Sequence, residues 1–178
     1  MAYEQTRLSR PLSRIELGVS ILLISLFIGI FIHRVLVLTA AAEATALELT
    51  LRNMRTGVRL KVANLLIEGD YAGIVALANS NPMSVLDTPT EIYRGTVNNS
   101  DDKKIDRGKW YFDENSKQLL YDVVNSDYFD SEGNIAGRIR IRLKLNYEDR
   151  NKNGSFDEGV DLPQGVSVIV MDPYRWTY

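Results

Sequence analysis

Cysteine is absent from this chain, and histidine occurs once, at His33. Without cysteine there can be no disulfide, no thiolate metal ligand and no cysteine nucleophile. A single histidine beside an apolar run cannot form a histidine-based triad or a zinc site elsewhere in the chain. The sequence also has neither a P-loop nor a Gly-x-Gly-x-x-Gly fingerprint. We therefore expect a protein that is not an enzyme and has no small-molecule substrate.

Charge is nearly balanced over the 178 residues, with 21 basic and 23 acidic side chains and a formal net charge of -2. Because the N-terminus is locally basic, the remainder is mildly acidic, which is not typical of a nucleic-acid-binding domain. Apolar residues make up 45% of the chain. This content argues against disorder and suits one compact domain plus an anchor.

A long apolar segment lies near the N-terminus. Residues 17–32 carry no charge, and apolar sequence resumes after His33 and Arg34. A spanning helix needs about 20 such residues, so we predict a transmembrane helix at 15–38, with Arg34 reaching the interface. A cleaved signal peptide is the alternative, because the small residues at 38–42 imitate its cleavage site. Helix-forming sequence continues past that point, which favours a retained anchor.

The charges on either side of this helix predict its orientation. Three arginines precede it within residues 1–14, whereas Glu43 and Glu48 are the first charged residues after Arg34. The positive-inside rule therefore makes residues 1–14 a cytoplasmic basic leader and places the rest of the chain on the other side of the membrane.

Glu16 stands at the start of the apolar helix, where an ionised carboxylate is costly unless it has a partner or a task. One interpretation is an interfacial carboxylate that pairs with Arg14 or is solvated by lipid headgroups. The other interpretation is a role in contact with another molecule. Charge alone does not separate the two.

The sequence Ser-Arg-Ile-Glu-Leu at 13–17, followed by an apolar helix, resembles the N-terminal signature of type IV pilins and type II secretion pseudopilins. In that family a short basic leader ends in Gly, a Phe follows, and a Glu comes soon after it. Aligned on Glu16, this chain has Pro11 where Gly is expected and Leu12 where Phe is expected. We therefore expect little or no cleavage of the leader.

The resemblance implies a function in assembly. Glu16 would neutralise a positive group on an adjacent subunit, and the partners would be other pilin or pseudopilin subunits in a pilus or a secretion pseudopilus. The chain would be a single-pass protein of a bacterial inner membrane with its C-terminal domain in the periplasm or in a filament. The departures at Pro11 and Leu12 favour a minor subunit. The alternative is an anchored periplasmic accessory protein that does not polymerise.

Beyond the predicted span, the sequence keeps helical spacing to Glu68. Apolar residues recur every three or four positions and form one stripe: Leu47, Leu51, Met54, Val58, Val62 and Leu65. We expect this continuation, 39–68, to pack on a sheet. Gly69 is a plausible end of the helix, and Asp70 can cap a second short helix at 71–78.

The C-terminal part, 69–178, is predicted to be a globular α+β domain. Five segments alternate or are rich in β-formers, with turns between them: 91–97, 109–113, 119–124, 137–147 and 166–171. Short connections between successive strands predict an antiparallel sheet of four to five strands. A long N-terminal helix packed on such a sheet is the pilin-like architecture that the resemblance implies.

One predicted strand has a strictly alternating pattern. Its apolar face carries Ile139, Ile141, Leu143, Leu145 and Tyr147, and its other face carries Arg138, Arg140, Arg142 and Lys144. The basic face is most simply a solvated face that resists edge aggregation. The alternative is a binding face for an acidic neighbour or for DNA, although the acidic domain argues against DNA.

Residues 149–161 resemble the first half of an EF-hand-type calcium loop. Ca²⁺ takes about 6–8 oxygen ligands, and a tight loop with a glycine turn directs alternate side chains inward. The expected ligands are Asp149, Asn151, Asn153, Ser155 through its carbonyl, Asp157 and Asp161. An EF-hand would have Glu where Val160 stands, so Asp161 or Glu158 would complete the shell. The alternative is a hairpin loop without metal, and we favour calcium.

Overall fold

The structure is a computed structural model, and it describes residues 13–86, 88, 90–98, 105–132 and 137–178. By contacts between residues, the chain divides into two compact units after Leu38. The helices are α1 (Arg14–Glu68) and α2 (Tyr71–Ala78), and short 3-10 turns occupy Pro82–Val85 and Ser126–Tyr128. The strands are β1 (Tyr93–Val97), β2 (Trp110–Asp113), β3 (Gln118–Asp122), β4 (Phe129–Ser131), β5 (Arg138–Glu148), β6 (Leu162–Val170) and β7 (Tyr174–Trp176).

Helix α1 is continuous from Arg14 to Glu68. In its second half the apolar residues recur with the helical period and so lie on one face. The predicted stripe is confirmed, since all its members are buried: Leu47, Leu51, Met54, Val58, Val62 and Leu65. Burying side chains of this size contributes about 1.5–3 kcal/mol each. Gly57 lets the helix approach neighbouring backbone closely, because a Cβ there would lie 2.6 Å from the Val85 carbonyl oxygen.

The end of α1 follows the predicted local signals. Gly69 adopts a left-handed conformation with φ +70°, which costs glycine little. The Asp70 side chain then accepts a hydrogen bond from Gly73 N–H at 2.8 Å, which satisfies one of the free donors at the start of α2. The short helix therefore begins and ends where the sequence predicts, at Tyr71 and Ala78.

The main sheet has five strands in the order β1-β2-β3-β5-β6, which confirms the α+β class and the number of strands. One detail differs from prediction: β1 and β2 are parallel, so the sheet is mixed. Residues 98–109 connect these two strands, and a connection of that length allows a crossover that a short hairpin cannot make. The other neighbouring pairs are antiparallel.

A second sheet was not predicted. Strands β4 and β7 pair antiparallel, with Phe129 opposite Trp176. The Phe129 ring lies 5.5 Å from Tyr174 and 5.1 Å from Trp176, centroid to centroid. Strands of three residues are too short to show a periodicity in the sequence, which is why this pair could not be predicted. Packing of the three aromatic rings stabilises the pair.

The core lies between the second half of α1, α2 and one face of the main sheet. Its largest fully buried side chain is Trp110 on β2, and its ring lies 4.8 Å from that of Tyr121 on β3. From β5, the predicted inward-facing residues Ile139, Ile141 and Leu143 are fully buried. The alternation of apolar residues along this strand is thus confirmed.

Candidate assembly helix and candidate metal loop

The first half of α1 is an apolar helix whose side chains are exposed. From Ile15 to Leu38 the large apolar side chains are exposed, from 40% at Val35 to 79% at Ile15, except Val37, which is half-buried. By length and composition this helix could cross a membrane. An apolar surface of this size is stable only against lipid or other apolar helices.

Glu16 makes a local contact with Ser13 that its charge alone does not predict. Its Oε2 accepts a hydrogen bond from Ser13 N–H at 2.8 Å, and Ser13 Oγ accepts one from Glu16 N–H at 3.2 Å. These reciprocal bonds form a capping box at the start of α1, where free N–H groups need acceptors. The motif Ser-x-x-Glu before an apolar run is its sequence signal. The predictions on Pro11 and Leu12 lie outside the described residues.

Glu43 is a second carboxylate on α1 with a defined position. It accepts hydrogen bonds from the Tyr121 hydroxyl at 2.8 Å, Val124 N–H at 2.7 Å and Asn125 N–H at 3.0 Å. The Asn125 side-chain amide donates a fourth, at 2.6 Å. We call these four residues the Glu43 cluster. It fixes the segment after β3 to the helix, and its partners lie about 80 residues away along the chain, so no local pattern indicates it.

The Glu43 cluster changes the acidity of Tyr121. Burial of the phenol raises the pKa of Tyr121, and the hydrogen bond to the Glu43 carboxylate and its negative charge raise it further. The deprotonated form is disfavoured because it would lose solvent and face another anion. Tyr121 therefore remains a hydrogen-bond donor at neutral pH.

The basic face of β5 is less available than predicted. Arg138 is buried and pairs with Asp122, Nε to Oδ1 at 2.6 Å, so it does not lie on a solvated face. Arg140 pairs with Asp172 at 2.7 Å, and this hydrogen bond lowers the pKa of Asp172. Acidic residues on neighbouring segments thus neutralise two of the four cations on the basic face of β5, because a buried cation needs a partner. Arg142 and Lys144 remain exposed.

The 149–161 loop brings several of the predicted ligands together. The side-chain amides of Asn151 and Asn153 both donate to Asp157 Oδ2. Asp149 closes the turn, since its Oδ1 accepts from Asn153 N–H at 3.2 Å and its Oδ2 from Gly154 N–H at 2.8 Å. Gly154 has φ +81°, which the tight turn requires.

Asp161 has a different position in the loop. It is buried, and its two oxygens accept from Arg150 N–H at 2.9 Å and Asp157 N–H at 2.8 Å. It therefore joins the two ends of the loop through backbone groups. Ser155 is tied by its N–H to Asn153 Oδ1 at 2.8 Å. Within the described residues, no group of three or more His, Cys, Asp or Glu side chains is placed to hold a metal ion.

Comparisons of this chain with protein-family models, with curated proteins and with solved structures find no match.

Proposed function

We propose that this chain is a pilin-like structural subunit, of the minor pilin or pseudopilin type. In this proposal it assembles through its N-terminal helix into a type IV pilus or a type II secretion pseudopilus. The observation that carries the proposal is the exposed apolar half of α1, from Ile15 to Leu38. Such a helix can sit in lipid before assembly and pack against other apolar helices afterwards.

The proposed topology follows from the charges that flank the helix. Residues 1–14 lie in the cytoplasm, the helix crosses a bacterial inner membrane once, and the globular unit lies in the periplasm or on a filament. Its partners are other pilin or pseudopilin subunits, and no nucleic acid is involved. The paired arginines of β5 support the last point, because Arg138 and Arg140 already have acidic partners within the chain.

Glu16 is the proposed assembly residue. Its Oε2 is used by the Ser13 cap, whereas no described residue donates a hydrogen bond to its Oε1. One carboxylate oxygen is thus left for a positive group on a neighbouring helix. Pairing of the two would offset the cost of a charge at the membrane edge and set the register between subunits.

The second candidate function is an anchored accessory protein that does not polymerise. The observation that favours it is the same capping box, because it gives Glu16 a role within its own helix. In this case the helix is only a tether for the globular unit.

Three substitutions separate the two functions. Glu16→Gln keeps an oxygen for the cap but removes the charge, Ser13→Ala weakens the cap but keeps the charge, and Glu16→Val removes both. If the charge sets assembly, both Glu16 variants insert into membranes normally but fail to co-purify with sheared filaments or sister subunits. Ser13→Ala then co-purifies as the parent does. Full recovery of Glu16→Gln with its partners would contradict the assembly role.

The 149–161 loop is proposed to bind Ca²⁺ and to stabilise the globular unit. Support comes from the convergence of Asn151 and Asn153 on Asp157, next to Asp149. To ligate the cation, both asparagines must turn their amide oxygens, instead of their NH₂ groups, towards Asp157. The loop joins β5 to β6, so ordering it constrains two neighbouring strands. Hard oxygen donors without His or Cys suit Ca²⁺ better than a transition metal.

A further inference from the structure

One end of the globular unit is fixed to the residues that directly follow the apolar segment. Thr39, next to Leu38 in the chain, donates a hydrogen bond from Oγ1 to Asn125 Oδ1 at 3.3 Å. One turn later, Glu43 holds the backbone N–H groups of Val124 and Asn125. Segment 124–128 therefore lies beside the point at which the helix leaves the predicted span.

Strand β7 brings aromatic residues to the same end. Thr177 N–H donates to the Tyr128 carbonyl oxygen at 2.9 Å, and the Trp176 ring lies 6.3 Å from that of Tyr178. We call Val124, Tyr128, Trp176 and Tyr178 the aromatic rim. Val124 is 51% exposed and Tyr178 55% exposed, whereas Tyr128 and Trp176 are half-buried.

The polar atoms of the aromatic rim are free to meet an outside partner. Among the described residues, none accepts a hydrogen bond from the Trp176 indole N–H or from the hydroxyl groups of Tyr128 and Tyr178. Each side chain thus presents an apolar ring with an unpaired polar group. Tryptophan and tyrosine with this character are enriched at the headgroup level of membranes.

Charge does not dominate this surface. Asp127 is exposed between Ser126 and Tyr128, and Arg107 lies 3.4 Å from Ser126, Nη1 to Oγ. Arg175 and Asp130, beside Trp176, form a further exposed pair of opposite charges, so this surface has little net attraction to anionic lipids. The surface therefore fits the interface of a zwitterionic bilayer, where ring burial and headgroup hydrogen bonds act together.

We infer that the aromatic rim rests in the headgroup region of the membrane that α1 crosses, which makes a zwitterionic phospholipid surface a binding partner of the globular unit. This inference rests on the proposed membrane span.

The two tryptophans of the chain allow a direct test. The full chain is reconstituted in phosphatidylcholine vesicles that contain either a headgroup nitroxide lipid or a lipid with a nitroxide deep in its acyl chain. Trp110→Phe leaves only Trp176 to fluoresce. Trp176→Phe, the matched control, leaves only Trp110, which is 1% exposed. The headgroup nitroxide should remove most of the Trp176 emission and little of the Trp110 emission. High salt should not restore it, because no ion pair carries the contact.

Two further variants keep the inference open to refutation. Val124→Asp with Tyr178→Asp should relieve the quenching of Trp176, whereas Leu60→Asp, at an apolar position that is 63% exposed, should not. Unchanged quenching in the double variant would overturn the inference. So would a Trp176 that aqueous iodide quenches and the headgroup nitroxide does not.

A reporter within the span distinguishes failure of the inference from failure of the proposed anchoring. Phe27→Trp is placed in a chain that carries Phe at 110 and 176, and the deep nitroxide should quench it. If it does while Trp176 escapes the headgroup nitroxide, the span is right and the aromatic rim is wrong. If it does not, the membrane anchoring is wrong and the inference falls with it.

Discussion

Replacement of Glu43 tests whether one carboxylate holds the end of the globular unit in place. Glu43→Ala removes the acceptor of four hydrogen bonds, two of them from backbone N–H groups. At roughly 1 kcal/mol net for each bond, the free energy of unfolding should fall by about 4 kcal/mol. Glu43→Gln keeps one acceptor oxygen and should cost about half as much, roughly 2 kcal/mol.

The assay is urea unfolding of the full chain in micelles of a mild nonionic detergent, followed by tryptophan emission. Trp110 is a suitable reporter because it is buried and its ring packs on Tyr121 of the Glu43 cluster. Glu48→Ala is the matched control. Glu48 lies five residues further along α1, is exposed, and among the described residues pairs with Arg52 at 2.6 Å. Such a surface pair contributes about 0.3–0.5 kcal/mol.

The slope of unfolding against urea should be unchanged in all variants, since the same surface is exposed on unfolding. A Glu43→Ala variant that loses no more stability than Glu48→Ala would refute the reasoning. Water would then replace the lost acceptor at no cost, and the position of segment 124–128 would have to come from packing alone.

Three further predictions follow from the cited contacts. Because the pKa of Tyr121 is raised in the folded chain, the protonated phenol contributes its full stability below the ordinary tyrosine pKa. This contribution is lost as pH rises through the raised pKa of the folded chain. The free energy of unfolding of the parent should therefore fall more than that of Tyr121→Phe when urea titrations are carried out at alkaline pH. Calcium at a hundredfold excess over its dissociation constant should stabilise the folded chain by about 2.7 kcal/mol, measured as melting temperature with calcium and with chelator. Asp149→Ala should abolish that difference, whereas equal melting temperatures for the parent would leave the loop without a metal. Intact-mass measurement of membrane-purified protein should find the leader retained, because Pro11 stands where the family's peptidase needs Gly; a chain that starts at Leu12 would contradict this.

Local signals in the sequence were sufficient for the helices and for much of the main sheet. Short stretches of sequence are enough to predict features that depend only on neighbours within a turn of helix. These features are the apolar stripe ending at Leu65, the helix end at Gly69 and the cap at Asp70. No local signal indicates the parallel direction of the β1–β2 pair, because that direction is set by pairing between segments that are separated in the chain. Strand β6 starts before Val166, at Leu162, since pairing with β5 overrides the low strand propensity of Pro163 and Gly165.

The candidate sites divide in the same way. The convergence of loop 149–161 on Asp157 could be anticipated from the spacing of its side chains. The motif Ser-x-x-Glu at 13–16 also indicates the capping role of Glu16, which its charge at a membrane edge does not. The Glu43 cluster and the pairing of Arg138 with Asp122 join residues that only the tertiary fold brings together, so no reading of local pattern could supply them.

The mixed pairing of the main sheet has a consequence for the order in which the globular unit folds. Strands β2 and β3 are joined by a tight turn and can form early as a hairpin, because closing a short loop costs little entropy. Strand β1 must instead wait for β2 before it can dock alongside it in parallel, and it holds only five residues. We expect it to be the last strand to join and the first to leave, so that the β1 edge of the sheet opens while the rest of the sheet remains intact.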